Sequence, residues 1–82
     1  MKMKIKIKCF SQVKYALGEN EIELELNPGT TTSDLEQIIR EKSDEKLDRV
    51  SLRVSVNQQY QSEETILTDG DEVAFIPPVQ GG

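Results

Sequence analysis

Eighty-two residues make one domain, and with hydrophobic residues at 35% and aromatics at 5% its core is aliphatic and small, leaving no room for a deep active site. The formal net charge of -5 excludes the clustered-cation footprint of a nucleic-acid binder and suits a basic partner. Histidine is absent and cysteine occurs once, which removes zinc ligand sets, catalytic triads and an internal disulfide; with no apolar run of leader or membrane-spanning length, the reading is a reduced, cytoplasmic protein that meets no membrane.

From Met1 to Cys9 the residues alternate: Met3, Ile5, Ile7 and Cys9 on one side, Lys2, Lys4, Lys6 and Lys8 on the other. This is the period of a half-buried strand. Ser11 to Leu17 lacks alternation and ends at Gly18, which fits a short helix with a left-handed cap. Glu21 to Leu26 alternates again, with Ile22, Leu24 and Leu26 apolar and Glu21, Glu23 and Glu25 charged. If the two strands pair, lysine lies across from glutamate on the solvent face, which gives the lysine run a structural role instead of a nucleic-acid one.

Asn27-Pro28-Gly29 marks a turn, and Thr31 or Ser33 caps a helix from about Thr32 to Ser43 with Leu35, Ile38 and Ile39 at helical spacing. Ser33 with Glu36 fits a capping box, and Thr31 with Asp34 fits nearly as well. Leu52, Val54 and Val56 alternate into a strand, Asn57-Gln58 offers a tight reversal into a short strand at Gln59 to Gln61, and Asp69-Gly70 precedes a last strand, Val73 to Ile76. Segregated strands around one long helix imply an α+β fold, a mixed sheet of four to five strands with the helix crossing one face. That is the β-grasp arrangement, though the pattern alone leaves other small α+β topologies open. The domain is read as residues 1–76, with residues 77–82 as an extended tail.

Within the domain little carries chemistry. Asp69, Asp71 and Glu72 read as turn residues, not metal ligands, and no metal site is expected. Cys9 shares the parity of Ile5 and Ile7 and reads as core. The tail is different. Pro77 and Pro78 favour an extended start, while Gly81 and Gly82 give a thin end without side chains. Six extended residues at ~3.3 Å each reach about 20 Å, enough to enter another protein's active site. A carboxylate becomes useful as a carrier once activated to a mixed anhydride that a sulfur nucleophile can open, and a terminal glycine hinders neither step.

Leu67 to Gly82, with its Asp-Gly-Asp-Glu-Val-Ala-Phe-Ile-Pro-Pro-Val-Gln-Gly-Gly ending, resembles the C-terminal signature of the molybdopterin synthase small-subunit family. Cys9 to Lys14 (Cys-Phe-Ser-Gln-Val-Lys) and Val56-Asn57-Gln58 resemble that family too. The resemblance implies a ubiquitin-like β-grasp protein whose Gly82, preceded by Gly81, is adenylated by an ATP-dependent activating enzyme and converted to a thiocarboxylate. It further implies insertion into a large synthase subunit, as a heterotetramer, where sulfur passes to a cyclic pterin precursor. No cofactor would be held permanently, ATP being used by the activating enzyme, and the catalytic side chains would belong to the partner.

Parity adds an expected docking surface. Phe10 breaks the inward series of the first strand and Ile76 opposes Val73 and Phe75, so both face away from the long helix; Tyr60 joins them by the resemblance. Pro77, Pro78, Val79 and Gln80 complete the expected partner contacts, as does Lys14, which stands where many members of the family carry arginine. A small second core under the short helix would account for Phe10 equally well. Rival functions are the sulfur carrier of thiamine synthesis, a ubiquitin-like protein modifier joined through Gly82 to lysines, and a plain binding module.

Overall fold

The computed structural model describes residues 2–77. In chain order the elements are β1 (Met3–Cys9), α1 (Ser11–Leu17), β2 (Glu21–Leu26), α2 (Thr32–Lys42), β3 (Arg53–Val56), β4 (Gln59–Gln61) and β5 (Glu72–Ile76). The five strands form one sheet in the order β2-β1-β5-β3-β4. The first and last strands lie side by side and parallel, and every other pairing is antiparallel. This mixed α+β sheet is the expected β-grasp. The chain must cross from one half of the sheet to the other before β5 returns to the centre, and α2 makes that crossing.

The alternation read in β1 divides the sheet into two faces. Met3, Ile5, Ile7 and Cys9 join Val56, Val73 and Phe75 of the neighbouring strands, Val13 of α1, and Leu35 and Ile39 of α2 in a single core. Full burial of an aliphatic side chain contributes roughly 1.5–3 kcal/mol. Leu47 and Leu67, in segments without a period, are also fully enclosed. The capping box of α2 is Thr31 with Asp34: the Thr31 hydroxyl accepts from the Asp34 N–H at 3.2 Å and the Asp34 carboxylate accepts from the Thr31 N–H at 3.1 Å. Glu36, the alternative partner, is instead bonded to Arg40 one turn on at 2.9 Å.

Arg40 also orders the stretch after α2, which has no regular structure. Its guanidinium donates to the carbonyls of Leu47 and, at 2.8 Å, of Val50, and so holds Leu47 in the core. The lysine and glutamate strands are in the expected register, Lys4 with Glu25, Lys6 with Glu23 and Lys8 with Glu21. The ion pairs formed are not these direct ones. Lys6 reaches diagonally to Glu21 at 3.9 Å, and Lys8 turns to Glu72 of β5 at 3.7 Å. A lysine in a central strand has neighbours on both sides, and the register to β2 could not show the second.

Candidate functional site

The face of the sheet turned away from α2 is open. Its register lines up Glu21, Lys8, Ala74, Ser55 and Tyr60 across all five strands. Ala74 and Ser55 are small and buried, so the centre of this row is low. The result is a shallow depression of about 270 Å³, lined mainly by Phe10, Tyr60 and Ile76 around Ser55 and Ala74, with Lys8, Gln58 and Glu72 at its polar margin. Phe10 is 46% exposed and Tyr60 62% exposed, while Ile76 is half-buried. A small domain that leaves two aromatic rings this open does not use them as a second core; from α1 it is Val13 that is buried, and it joins the single main core.

The three apolar residues expected on this face are thus brought together. The guanidinium of Arg53, whose position pairs with Ile76, lies 5.1 Å from the centre of the Tyr60 ring and braces it with a cation–π contact. Lys14 lies on α1, on the other side of Phe10, in a second depression with Lys8, Ser11, Asn20 and Glu21. Sequence reading missed Ser55 and Ala74 as the floor, Gln58, Lys8 and Glu72 as the margin, and Arg53 as the brace of Tyr60. The parity of β3 and β5 carried that signal, since Ser55 and Ala74 oppose Val54 and Phe75.

Pro77, expected as the first residue of the tail and as a partner contact, is buried against the domain. Pro78, Val79, Gln80, Gly81 and Gly82 lie outside the described residues. The depression ends at Ile76, two residues before them in sequence.

Cys9 is enclosed beside Ile7; burial first, then the nearby Glu19 and Glu21 charges, push its thiol upward and keep it unreactive. The acidic turn is built into the sheet. Asp69 accepts from the Lys4 N–H at 2.7 Å, and Asp71 accepts from the Thr68 N–H at 2.8 Å, the Thr68 hydroxyl at 3.0 Å and the Asn57 side-chain amide at 3.0 Å. Partial burial pushes the Asp71 carboxyl up, but these three bonds outweigh it and hold the group below the usual carboxylate range. Their stabilising effect is present at neutral pH and is lost as pH falls through that lowered value.

A mixed sheet with parallel first and last strands, one face under a helix and the other open, defines a ubiquitin-like β-grasp protein. The chain belongs to the ThiS family, whose model matches residues 7–82. It is 40% identical over 85 residues to the molybdopterin synthase sulfur carrier subunit of Chlamydomonas reinhardtii, covering 98% of this chain and 100% of that protein. Among solved structures it is similar to the putative molybdopterin converting factor subunit 1 of Pyrococcus furiosus, with a TM-score of 0.83 and 30% identity, over 94% of this chain and 99% of the other. It is also similar, at a TM-score of 0.68 and 26% identity over 98% and 100% of the two chains, to a chain in the complex of subunits 1 and 2 of the molybdopterin-converting factor from Helicobacter pylori. The resemblance read from the Asp-Gly-Asp-Glu-Val segment and the Gly-Gly ending is borne out by these relatives.

Proposed function

We propose that this chain is the sulfur carrier of a molybdopterin synthase, acting in molybdenum cofactor biosynthesis through the carboxylate of Gly82. The observation that carries the reading is the apolar depression of Phe10, Tyr60 and Ile76 in a ThiS-family chain whose sequence ends in Gly81-Gly82. The names of the relatives and the two-subunit Helicobacter pylori complex support the same role and a large-subunit partner.

The Gly82 carboxylate attacks the α-phosphorus of ATP on an activating enzyme; pyrophosphate leaves and an acyl adenylate forms. Hydrosulfide, the simplest sulfur nucleophile, then attacks the carbonyl carbon; the bond to AMP breaks, AMP leaves, and loss of the S–H proton gives the thiocarboxylate. In the large subunit this sulfur attacks the cyclic pterin precursor, and water returns the glycine to a carboxylate. A dithiolene needs two sulfur atoms, so two loaded carriers are consumed for each pterin. The domain docks and aims the tail, the partner supplies the catalytic side chains, and two small subunits serve a dimer of large ones as a heterotetramer. Such a carrier works in the cytoplasm, beside its ATP-dependent enzyme.

Incubation with ATP, sulfide and the activating enzyme should add to the intact mass the difference between sulfur and oxygen, localised to Gly82. Only high-mass conjugates to lysines would sink the carrier reading in favour of a protein modifier. Phe10→Asp and Ile76→Asp should each weaken binding to the large subunit by about 30-fold or more, the cost of a charge in the apolar centre of an interface. Titration calorimetry measures this, and unchanged affinity for both would remove the depression from the interface.

A further inference from the structure

The polar end of the depression is held by a group of hydrogen bonds centred on Asn57 and Asp71. Asn57 and Gln58 turn β3 into β4 with φ of 51° and 71°, the left-handed pair that a two-residue reversal demands. Asn57 does more than turn the chain. Its backbone N–H donates to the Glu72 carbonyl at 2.7 Å, its side-chain oxygen accepts from the Glu72 N–H at 3.0 Å, and its side-chain amide donates to the Asp71 carboxylate at 3.0 Å. Asp71 is itself anchored by Thr68 and by the Lys6 N–H on its carbonyl at 3.0 Å. The β3–β4 turn is thereby clamped to the first residue of β5. Gln58 and Glu72, the residues on either side of this clamp, line the depression, and Tyr60 stands two residues further along the same short hairpin. β4 has only three residues and a neighbour on one side, so its own ladder is a weak constraint.

We infer that Asn57 and Asp71 are positioning residues for partner docking: their side chains lock the β3–β4 hairpin to β5 and so set where Tyr60 and Gln58 stand opposite Phe10 and Ile76. This rests on the docking role proposed for the depression. The partner then meets a wall already in place, instead of ordering a mobile hairpin at a cost in affinity.

The test uses the full chain as wild type, Asn57→Gly and Asn57→Asp. Glycine keeps the left-handed turn and deletes both side-chain bonds, so it separates the clamp from backbone strain. Binding to the large subunit is read by calorimetry, and amide hydrogen exchange is read on the free proteins. Asn57→Gly should bind about tenfold more weakly, with faster exchange at Gln59, Tyr60 and Gln61, while Ile5, Ile7 and Phe75 keep wild-type protection. Asn57→Asp sets a second carboxylate against Asp71; it should bind weakly at pH 7 and recover as the pH is lowered and one shared proton restores a donor between the two groups. The deficit of Asn57→Gly should not follow pH. Asp69, Glu72, Lys4 and Lys6, the other charged groups around the clamp, are common to both variants and cancel in the comparison.

Wild-type affinity and exchange in Asn57→Gly would overturn the inference. Loss of protection spread through β1 and β5 would overturn it too, by making Asn57 a residue of general stability. Failure of the wild type itself to bind the large subunit would instead remove the docking reading on which the inference stands.

Discussion

Deletion of Gly82 should abolish sulfur transfer while leaving the domain folded and able to bind its large subunit. The proposed reaction takes place at a single atom, the carbonyl carbon of the last residue, and the described domain ends at Pro77. Removing one residue moves the terminal carboxylate back by about 3.3–3.6 Å. Since a misplacement of ~1 Å at a reacting centre can cost 100-fold, that shift takes the group out of reach of both adenylation and transfer. No core side chain is touched, so the thermal midpoint and the affinity contributed by Phe10, Tyr60 and Ile76 stay near wild type. The comparison to make is thiocarboxylate formation by intact mass and pterin conversion, against binding on the same samples. Undiminished conversion by the shortened chain would refute the mechanism, and loss of binding alongside activity would show that the tail, not the open face, holds the complex.

Phe75→Ala should be the most damaging single change to the fold. Phe75 is fully buried in β5, paired with Cys9 of β1 on one side and Val54 of β3 on the other, so its ring sits where the two halves of the sheet meet. Truncating a buried phenylalanine costs about 3–5 kcal/mol. At roughly 0.05–0.15 kcal/mol per residue, the whole domain has about 4–12 kcal/mol. The variant therefore loses about a quarter or more of its stability, and at the lower end of that range it does not fold. Urea unfolding should show the midpoint falling with the slope unchanged. Phe10→Ala, on the open face, should cost under about 1 kcal/mol in the same assay and serves as the control. Equal midpoints for the two variants would mean that the division of the sheet into a core face and an open face is wrong.

The two positions were separable in advance because a strand alternates. Phe75 has the parity of Val73 and Phe10 breaks the parity of Cys9, so the faces of β1 and β5 were legible before any coordinates. The same rule placed Ile76 outward, and the helical spacing of Leu35 and Ile39 gave α2 its buried stripe. Period failed where there was none. Leu47 lies in an irregular stretch whose place in the core depends on Arg40 reaching carbonyls seven and ten residues ahead, and Leu67 lies in another. The burial of Pro77 was not legible either, because a proline ends a ladder without saying whether its ring is then exposed.

What the sequence determined by itself was local and repetitive: the strands, the two helices, the inward and outward sets of residues, and the family signature that ends in Gly82. These follow from side-chain periods and turn chemistry, which act between near neighbours. Tertiary structure alone decided which strands stand side by side. By setting β1 parallel to β5 and β3 beyond it, the fold places Lys8, Ala74, Ser55 and Tyr60 in one row, turns Lys8 toward Glu72, and clamps Asn57 to Asp71 across fourteen residues of chain. The physical reason is that pairing order in a sheet is settled by how the whole core closes, and no local pattern along the chain encodes it.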